Sequence, residues 1–211
     1  MANHFPTDHS DVPIRLFQSN FLEFFTHISP IAVLILWVPV ALFALLYDVL
    51  RAAAPNWAIL PPAFLIGLFL WTFAEYTLHR FLFHYPPKTP RQEKIFFLFH
   101  GVHHAQPQCK TRLVMPPVLS IPLAALFYGL FYLVVAVWLQ APLWVGPLFS
   151  GYITGYLLYD MIHYATHHFA MRSGYWKFIK RYHMQHHYKT PNQRYGVSSP
   201  LWDMVFGTRP E

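Results

Sequence analysis

The chain has 211 residues, of which 55% are hydrophobic and only 11% charged, with a formal charge of +6; a soluble domain carries about 25% charged residues. Apolar runs of spanning length make this a membrane protein, and no basic helix or aromatic-basic module turns the positive balance into a nucleic-acid footprint. A single cysteine, Cys109, excludes an intrachain disulfide and makes a thiolate metal site untenable.

Met1 to Val12 is polar and expected to be mobile, with His4 and His9 as surface histidines; no positive stretch leads into an apolar one as in a signal peptide. From Pro13 to Ile28, Ile14, Phe17, Phe21, Phe24, Phe25 and Ile28 recur at helical spacing opposite Arg15, Gln18, Ser19, Glu23 and Thr26. This predicts an amphipathic interfacial helix, closing an N-terminal segment over 1–28, with His27 at its end. The membrane domain then fills 29–211. A first span runs over about 31–50, with Pro39 as its kink point, and Arg51 to Asn56 turns the chain.

A second helical stretch over 57–83 would reach about 40 Å, against a hydrocarbon core of about 30 Å. His79 and His84 therefore lie in an overhang, with Glu75 one turn before His79. Three prolines between Tyr85 and Gln92 break the helix. Lys94 to His104 is predicted helical and Ala105 to Met115 a polar loop. A third span covers about 116–139, and Gln140, Ala141 and Pro142 turn the chain into a fourth over 143–167. Arg172 to Tyr188 is a basic, histidine-rich helix. The tail from Lys189 is too aromatic for a disordered end and is expected to fold back. The fold predicted is all-α: four transmembrane helices in two hairpins, with a histidine-rich cap. Of fifteen Lys and Arg, six lie between His79 and Met115, seven after His167, and one is Arg15. The positive-inside rule then puts both termini and the cap in the cytoplasm.

The histidines repeat. His84 to His100 is sixteen positions, as is His167 to His183, and each interval ends in H-x-x-H-H: His100, His103, His104, then His183, His186, His187. The one mismatch is the leading pair, H-x4-H at His79/His84 against H-x3-H at His163/His167. Positions i, i+3 and i+4 share a helical face, so the three imidazoles of each triplet could converge on one point. A lone histidine near an interface is usually packing. Ten buried neutral imidazoles would leave lone pairs unsatisfied without a metal or donors. Ten nitrogens suffice for two metal ions with five each, leaving one octahedral position open on each for dioxygen or water. With no C-x-x-C and no Glu-x-x-His, neither a zinc finger nor a soluble carboxylate di-iron site fits.

Tyr156, Asp160, His163 and His167 fall at i, i+4, i+7 and i+11, one face of a helix. Asp160 is expected to accept from an imidazole and fix its tautomer, Glu75 to do the same for His79, and Tyr156 to line the site wall. His168 points about 100° away from His167 and is left out of the ligand set. A metal transporter would place polar ligands along a midplane path, whereas these spans are almost free of ionisable residues away from one end.

The stretches HRFLFH (His79 to His84), FHGVHH (Phe99 to His104), RLVMPP (Arg112 to Pro117), GYLLYDMIHY (Gly155 to Tyr164), HMQHH (His183 to His187) and YGVSSPLWDMVFGT (Tyr195 to Thr208) resemble the fatty acid 2-hydroxylases of the fatty acid hydroxylase and sterol desaturase superfamily. The likeness covers about residues 13 to 210. It implies an oxidoreductase of lipid metabolism, hydroxylating the carbon next to the carbonyl of a long-chain acyl group, typically in a sphingolipid or ceramide. The implied ligands are His79, His84, His100, His103, His104, His163, His167, His183, His186 and His187. The cofactors expected are two iron ions, with zinc acceptable to the same donors in a purified sample, and dioxygen is the co-substrate. No HPGG haem motif is present, so electrons are expected from a separate donor such as cytochrome b5 or ferredoxin with its reductase. Desaturation or sterol oxidation by the same superfamily is the alternative chemistry.

Overall fold

The computed structural model describes residues 7–52 and 56–210. His4 and the middle of the 51–56 turn lie outside the described residues. The chain divides into two compact units, one built from residues 31–71 and 115–158, the other from the segments up to residue 30, 72–114 and 159 onward. Every regular element among the described residues is helical.

The first unit holds most of the apolar helices. Helix α2 (Pro30–Arg51) runs through Pro39 without a break. Helix α3 (Leu60–Thr77) opens with a 3-10 turn at Trp57–Ile59, where the Asn56 side chain accepts from the Ala58 amide, and ends in a π-turn at Leu78–Phe83. Helix α6 (Pro117–Phe131) starts on a proline, whose missing N–H costs nothing at that position, and continues as a π-turn over Tyr132–Trp138. Among the described residues three stretches are long and apolar enough to cross a bilayer: Pro30–Arg51, Trp57–Phe83 and Pro117–Trp138. Large apolar side chains such as Ile35, Phe43, Leu65 and Leu126 stay exposed on them, as suits an integral membrane protein whose outer solvent is lipid.

Helix α7 (Val145–His168), the fourth predicted span, is not among those three. Its composition follows from its surroundings. Val145 to Ile153 is buried without interruption, and a helix surrounded by protein has no need of a lipid-facing apolar surface. Glycines set how close it packs. A Cβ on Gly151 would lie 1.9 Å from the Phe64 carbonyl oxygen, one on Gly67 1.9 Å from that of Leu148, and one on Gly146 2.3 Å from that of Ala44. Small residues that let backbones touch are what holds helices together where lipid and side chain are equally apolar.

In the second unit the predicted amphipathic helix over Pro13 to Ile28 shrinks to α1 (Asn20–Phe24). Local polar bonding has replaced the helix ladder. The Glu23 carboxylate accepts from the Leu16 and Phe17 amides at 2.9 and 2.8 Å, and Arg15 donates to the carbonyls of Phe17 and Gln18. Phe21 and Phe24 still project, 71% and 73% exposed. Nor is the polar segment before Pro13 loose where described. Buried Gln106 donates to Asp8 Oδ2 at 2.9 Å and the Val12 carbonyl at 3.0 Å, and accepts from the Ile14 amide at 2.8 Å. Helix α4 (Pro90–Phe96) is capped by Thr89 and flows through a π-turn at Phe97–Gly101 into α5 (Val102–Ala105). Helices α8 (Gly174–Tyr188) and α9 (Leu201–Val205) complete the unit.

Gly151→Leu is expected to lower the melting temperature in detergent, since overpacking costs about 1–3 kcal/mol and the obstructing atom is backbone. Gly129→Ala, whose Cβ meets nothing within 4 Å, should be neutral or gain up to about 1 kcal/mol of helix propensity. Equal melting of the two variants would refute the close-packing account.

Candidate metal centre

The mismatch in the histidine repeat has a local structural answer. Five α-helical residues turn about 500°, which would leave His79 and His84 on different sides. The π-turn at Leu78–Phe83 widens the coil, with the His84 amide donating to the His79 carbonyl at 3.0 Å, and brings the two ring centroids to 4.9 Å. In α7 the ordinary i, i+4 pair His163/His167 reaches 5.2 Å with no such device. The π-turn at Phe97–Gly101 carries His100. Single π-turns of this kind recur at functional sites because they re-aim side chains.

The ten histidines gather into two groups of five: His79, His84, His100, His104 and His186, and His103, His163, His167, His183 and His187. Within each group the candidate ligand atoms all lie within 4.8 Å of one another. The expectation that each triplet converges on one point is corrected. His100 and His104, one turn apart, stay with their own half, as do His183 and His187, while the middle residue of each triplet, His103 or His186, crosses to the other group. Adjacent residues point about 100° apart, so positions i+3 and i+4 aim at neighbouring centres.

The contacts are nitrogen to nitrogen. Nε2 of His79 lies 3.1 Å from that of His100, His104 to His100 is 3.0 Å, and His186 to His84 is 3.0 Å. In the other group His163 to His103 is 2.9 Å, His103 to His187 3.0 Å, His187 to His183 3.0 Å, and His183 to His167 2.9 Å. For two of these rings the tautomer follows from the other nitrogen. His79 Nδ1 faces the Tyr195 carbonyl at 2.5 Å and His186 Nδ1 the Gln193 carbonyl at 2.7 Å. A carbonyl only accepts, so the proton sits on Nδ1 and Nε2 presents a bare lone pair. Lone pairs crowded at such distances call for a cation between them. Bonds of about 2.1 Å give a nitrogen–nitrogen edge of about 3.0 Å in an octahedron and about 3.4 Å in a tetrahedron. The observed edges match the octahedral value, so the donors fit a six-coordinate metal with one position left over in each group.

The outer partners of the two groups differ. Arg194 lies between the two acceptor residues and has a left-handed backbone, φ 59°, a conformation that costs a non-glycine residue about 1–2 kcal/mol and recurs at functional sites. In the second group the Nδ1 atoms of His103, His163, His167, His183 and His187 have no hydrogen-bond partner.

Asp160 is buried, but with Nδ1 of His163 and His167 unpartnered it does not bond either ring as expected. Glu75 does not bond His79. Its carboxylate accepts from the Val197 and Ser198 amides, both at 2.7 Å, and from the Ser198 hydroxyl. It anchors the segment that brings the Tyr195 carbonyl to His79. Asp203 does likewise, accepting from the amides of Tyr195 and Gly196 at 2.9 and 2.7 Å. Tyr156, seven residues before His163, lines an apolar cleft with Trp71, Ser120 and Tyr152. His168 and His27 stand outside both groups: the His168 ring packs at a tilt against Tyr164, centroids 4.5 Å apart, and His27 Nδ1 lies 2.9 Å from the Thr111 hydroxyl. The Gln193 and Tyr195 carbonyls escape sequence reading because every residue has one; the only signal was the aromatic tail.

Burial, then the neighbouring imidazoles, hold His84, His100, His103, His183 and His187 well below the ordinary imidazole value, and burial dominates for His186 too. A ring depressed in the folded state stabilises the fold above its unfolded value of about 6.5 and withdraws that stabilisation as pH falls below it, because only the unfolded chain takes up the proton. Metal-stripped protein should therefore lose thermal stability from about pH 6.5 downward, by up to about 1.4 kcal/mol per pH unit for each ring that stays neutral. A melting temperature unchanged from about pH 7 to 5 would contradict this. Glu75→Ala strands two amides and is expected to cost about 1–3 kcal/mol for each one left buried, with lower metal content by mass spectrometry; unchanged content and melting would remove Glu75 from this role.

A family model described as fatty acid hydroxylase matches residues 64–208. The chain is 41% identical to the ceramide very long chain fatty acid hydroxylase scs7 of Schizosaccharomyces pombe, over 90% of this chain and 53% of that one. It is 36% identical to the dihydroceramide fatty acyl 2-hydroxylase FAH1 of Arabidopsis thaliana, over 93% and 80%, and 36% identical to the fatty acid 2-hydroxylase of Homo sapiens, over 93% and 56%. It thus spans about half the length of the fission yeast and human relatives. Among solved structures, full-length scs7p with only its hydroxylase domain visible matches with a TM-score of 0.81 at 36% identity, covering 91% of this chain and 70% of that one. The protein is a member of the fatty acid hydroxylase family.

Proposed function

We propose that the protein hydroxylates carbon 2 of long-chain fatty acyl groups in sphingolipids of the ceramide class, with two iron ions, dioxygen and electrons from a separate donor. The observation that carries this reading is the pair of five-nitrogen groups with octahedral edges of 2.9–3.1 Å. The names of the relatives supply the acyl 2-position and the ceramide class. The paired metals would supply the two-electron oxidation of the C–H bond by dioxygen, which acid–base groups alone cannot make. No general base is therefore assigned.

The chain's own residues bind and orient. His79 and His186 keep their protons on Nδ1 and offer Nε2, held so by the Tyr195 and Gln193 carbonyls. His103 and His186, each ligating away from its own half, tie the two positions into one unit. Glu75 and Asp203 fasten the tail. Burial of eight of the ten histidines, with His84 and His104 half-buried, excludes competing water. In the membrane, α7 is read as a fourth span and Tyr156 as part of the acyl wall. The distribution of Lys and Arg supports a cytoplasmic side for the termini and the histidine groups.

Lipid mass spectrometry of cells expressing the protein with a competent reductase system is expected to find one added oxygen on the acyl carbon next to the carbonyl, absent with His186→Ala. Oxygen on a sterol or mid-chain carbon, or a new double bond, would refute the assignment. Purified protein should carry two metal equivalents, and either His103→Ala or His186→Ala should reduce that number; full occupancy in both variants would refute the shared site.

A further inference from the structure

Helix α8 presents its histidines on one side, and its other side lines a surface pocket of ≈250 Å³ built entirely within the histidine-bearing unit. Arg181, Tyr182 and Gln185 from α8 meet Arg194 and Arg209 from the tail there. No carboxylate forms an ion pair with any of the three arginines among the described residues. Arg209 donates to the Met204 thioether at 3.1 Å, a weak acceptor, and Arg194 to the Thr190 hydroxyl, while its guanidinium lies 5.7 Å from the centre of the Tyr182 ring. Tyr182 is only 4% exposed, and its buried hydroxyl faces the Asp203 carboxylate without closing a well-formed hydrogen bond to it. A buried phenol stripped of water and left with only that poorly aligned partner is costly. Here it borders the cavity that could supply a better one.

We propose that this pocket binds a phosphate group, carried by an anionic lipid headgroup or by a soluble phosphate ester. Three guanidinium groups offer planar, charge-assisted donors suited to oxyanions. Asp203, whose charge reaches Tyr182, directs its oxygens chiefly to the Tyr195 and Gly196 amides and the Thr208 hydroxyl. Burial, then the charge of Asp203, pushes the Tyr182 phenol above its ordinary value, so the hydroxyl remains a donor. The cavity takes one phosphate and the start of what it is attached to, not a whole lipid. The assignment is independent of the reaction proposed above, since none of the five residues belongs to the histidine groups.

The test uses metal-loaded, full-length protein titrated with inorganic phosphate, with acetate, and with nanodiscs of phosphatidylcholine with or without phosphatidate. Saturable phosphate binding is expected, weakened at least tenfold by Arg181→Gln with Arg209→Gln and roughly tenfold by Tyr182→Phe. Both variants should retain wild-type metal content, because Tyr182 stands outside both histidine groups and both arginines are exposed. Saturation by inorganic phosphate marks a soluble source, and binding to phosphatidate discs alone marks a headgroup. Absence of saturable binding to both probes, equal affinity in the double arginine variant, or equal affinity for acetate would overturn the proposal.

Discussion

Ten imidazole nitrogens crowded edge to edge repel one another unless something positive sits among them, and this constraint governs the histidine-bearing unit. The edges of 2.9–3.1 Å are too short for a tetrahedron and right for an octahedron around a metal–nitrogen bond of about 2.1 Å. Keeping lone pairs aimed inward requires protons on the outward nitrogens. That is the work of a tail whose carbonyls reach His79 and His186 across a left-handed residue. The carboxylates of Glu75 and Asp203 hold the tail by its amides rather than touching the rings. Charge control in this site therefore runs through backbone dipoles.

The exchange of His103 and His186 between the groups gives the two positions a common fate. Each group draws four histidines from one half of the chain and one from the other, so neither half can move without disturbing both. Their surroundings are nevertheless unequal: carbonyls back two rings of one group, while all five Nδ1 atoms of the other lack a partner. Outer hydrogen bonds raise imidazole basicity, which makes the two positions electronically distinct despite a near-identical donor set.

In the apolar unit the governing constraint is distance between backbones. Glycines on α3 and α7 let the helices come within a Cβ of each other's carbonyls, and this close approach is compatible with lipid on the outside because it relies on shape rather than on the hydrophobic effect. The same helix then serves two environments. Its first half is small and buried, and its second half bears Asp160, His163 and His167.

The sequence by itself determined much of the site. Composition declared a membrane protein, apolar runs placed the spanning helices within a few residues, and the doubled array of a histidine pair followed by H-x-x-H-H named the ten histidines that come together. These are legible because periodicity and residue type act locally. Where local polar bonds compete, the reading failed: Glu23 and Arg15 dissolve the helix predicted over 13–28 into loop and a single turn. Only the tertiary structure decided which histidine joins which group, since a 100° difference between neighbours on a helix acquires meaning only when a second helix lies opposite. It likewise decided that a π-turn absorbs the odd spacing of His79 and His84, and that the partners of His79 and His186 are main-chain carbonyls. Those atoms are common to all residues, so no pattern of side chains could have pointed to them.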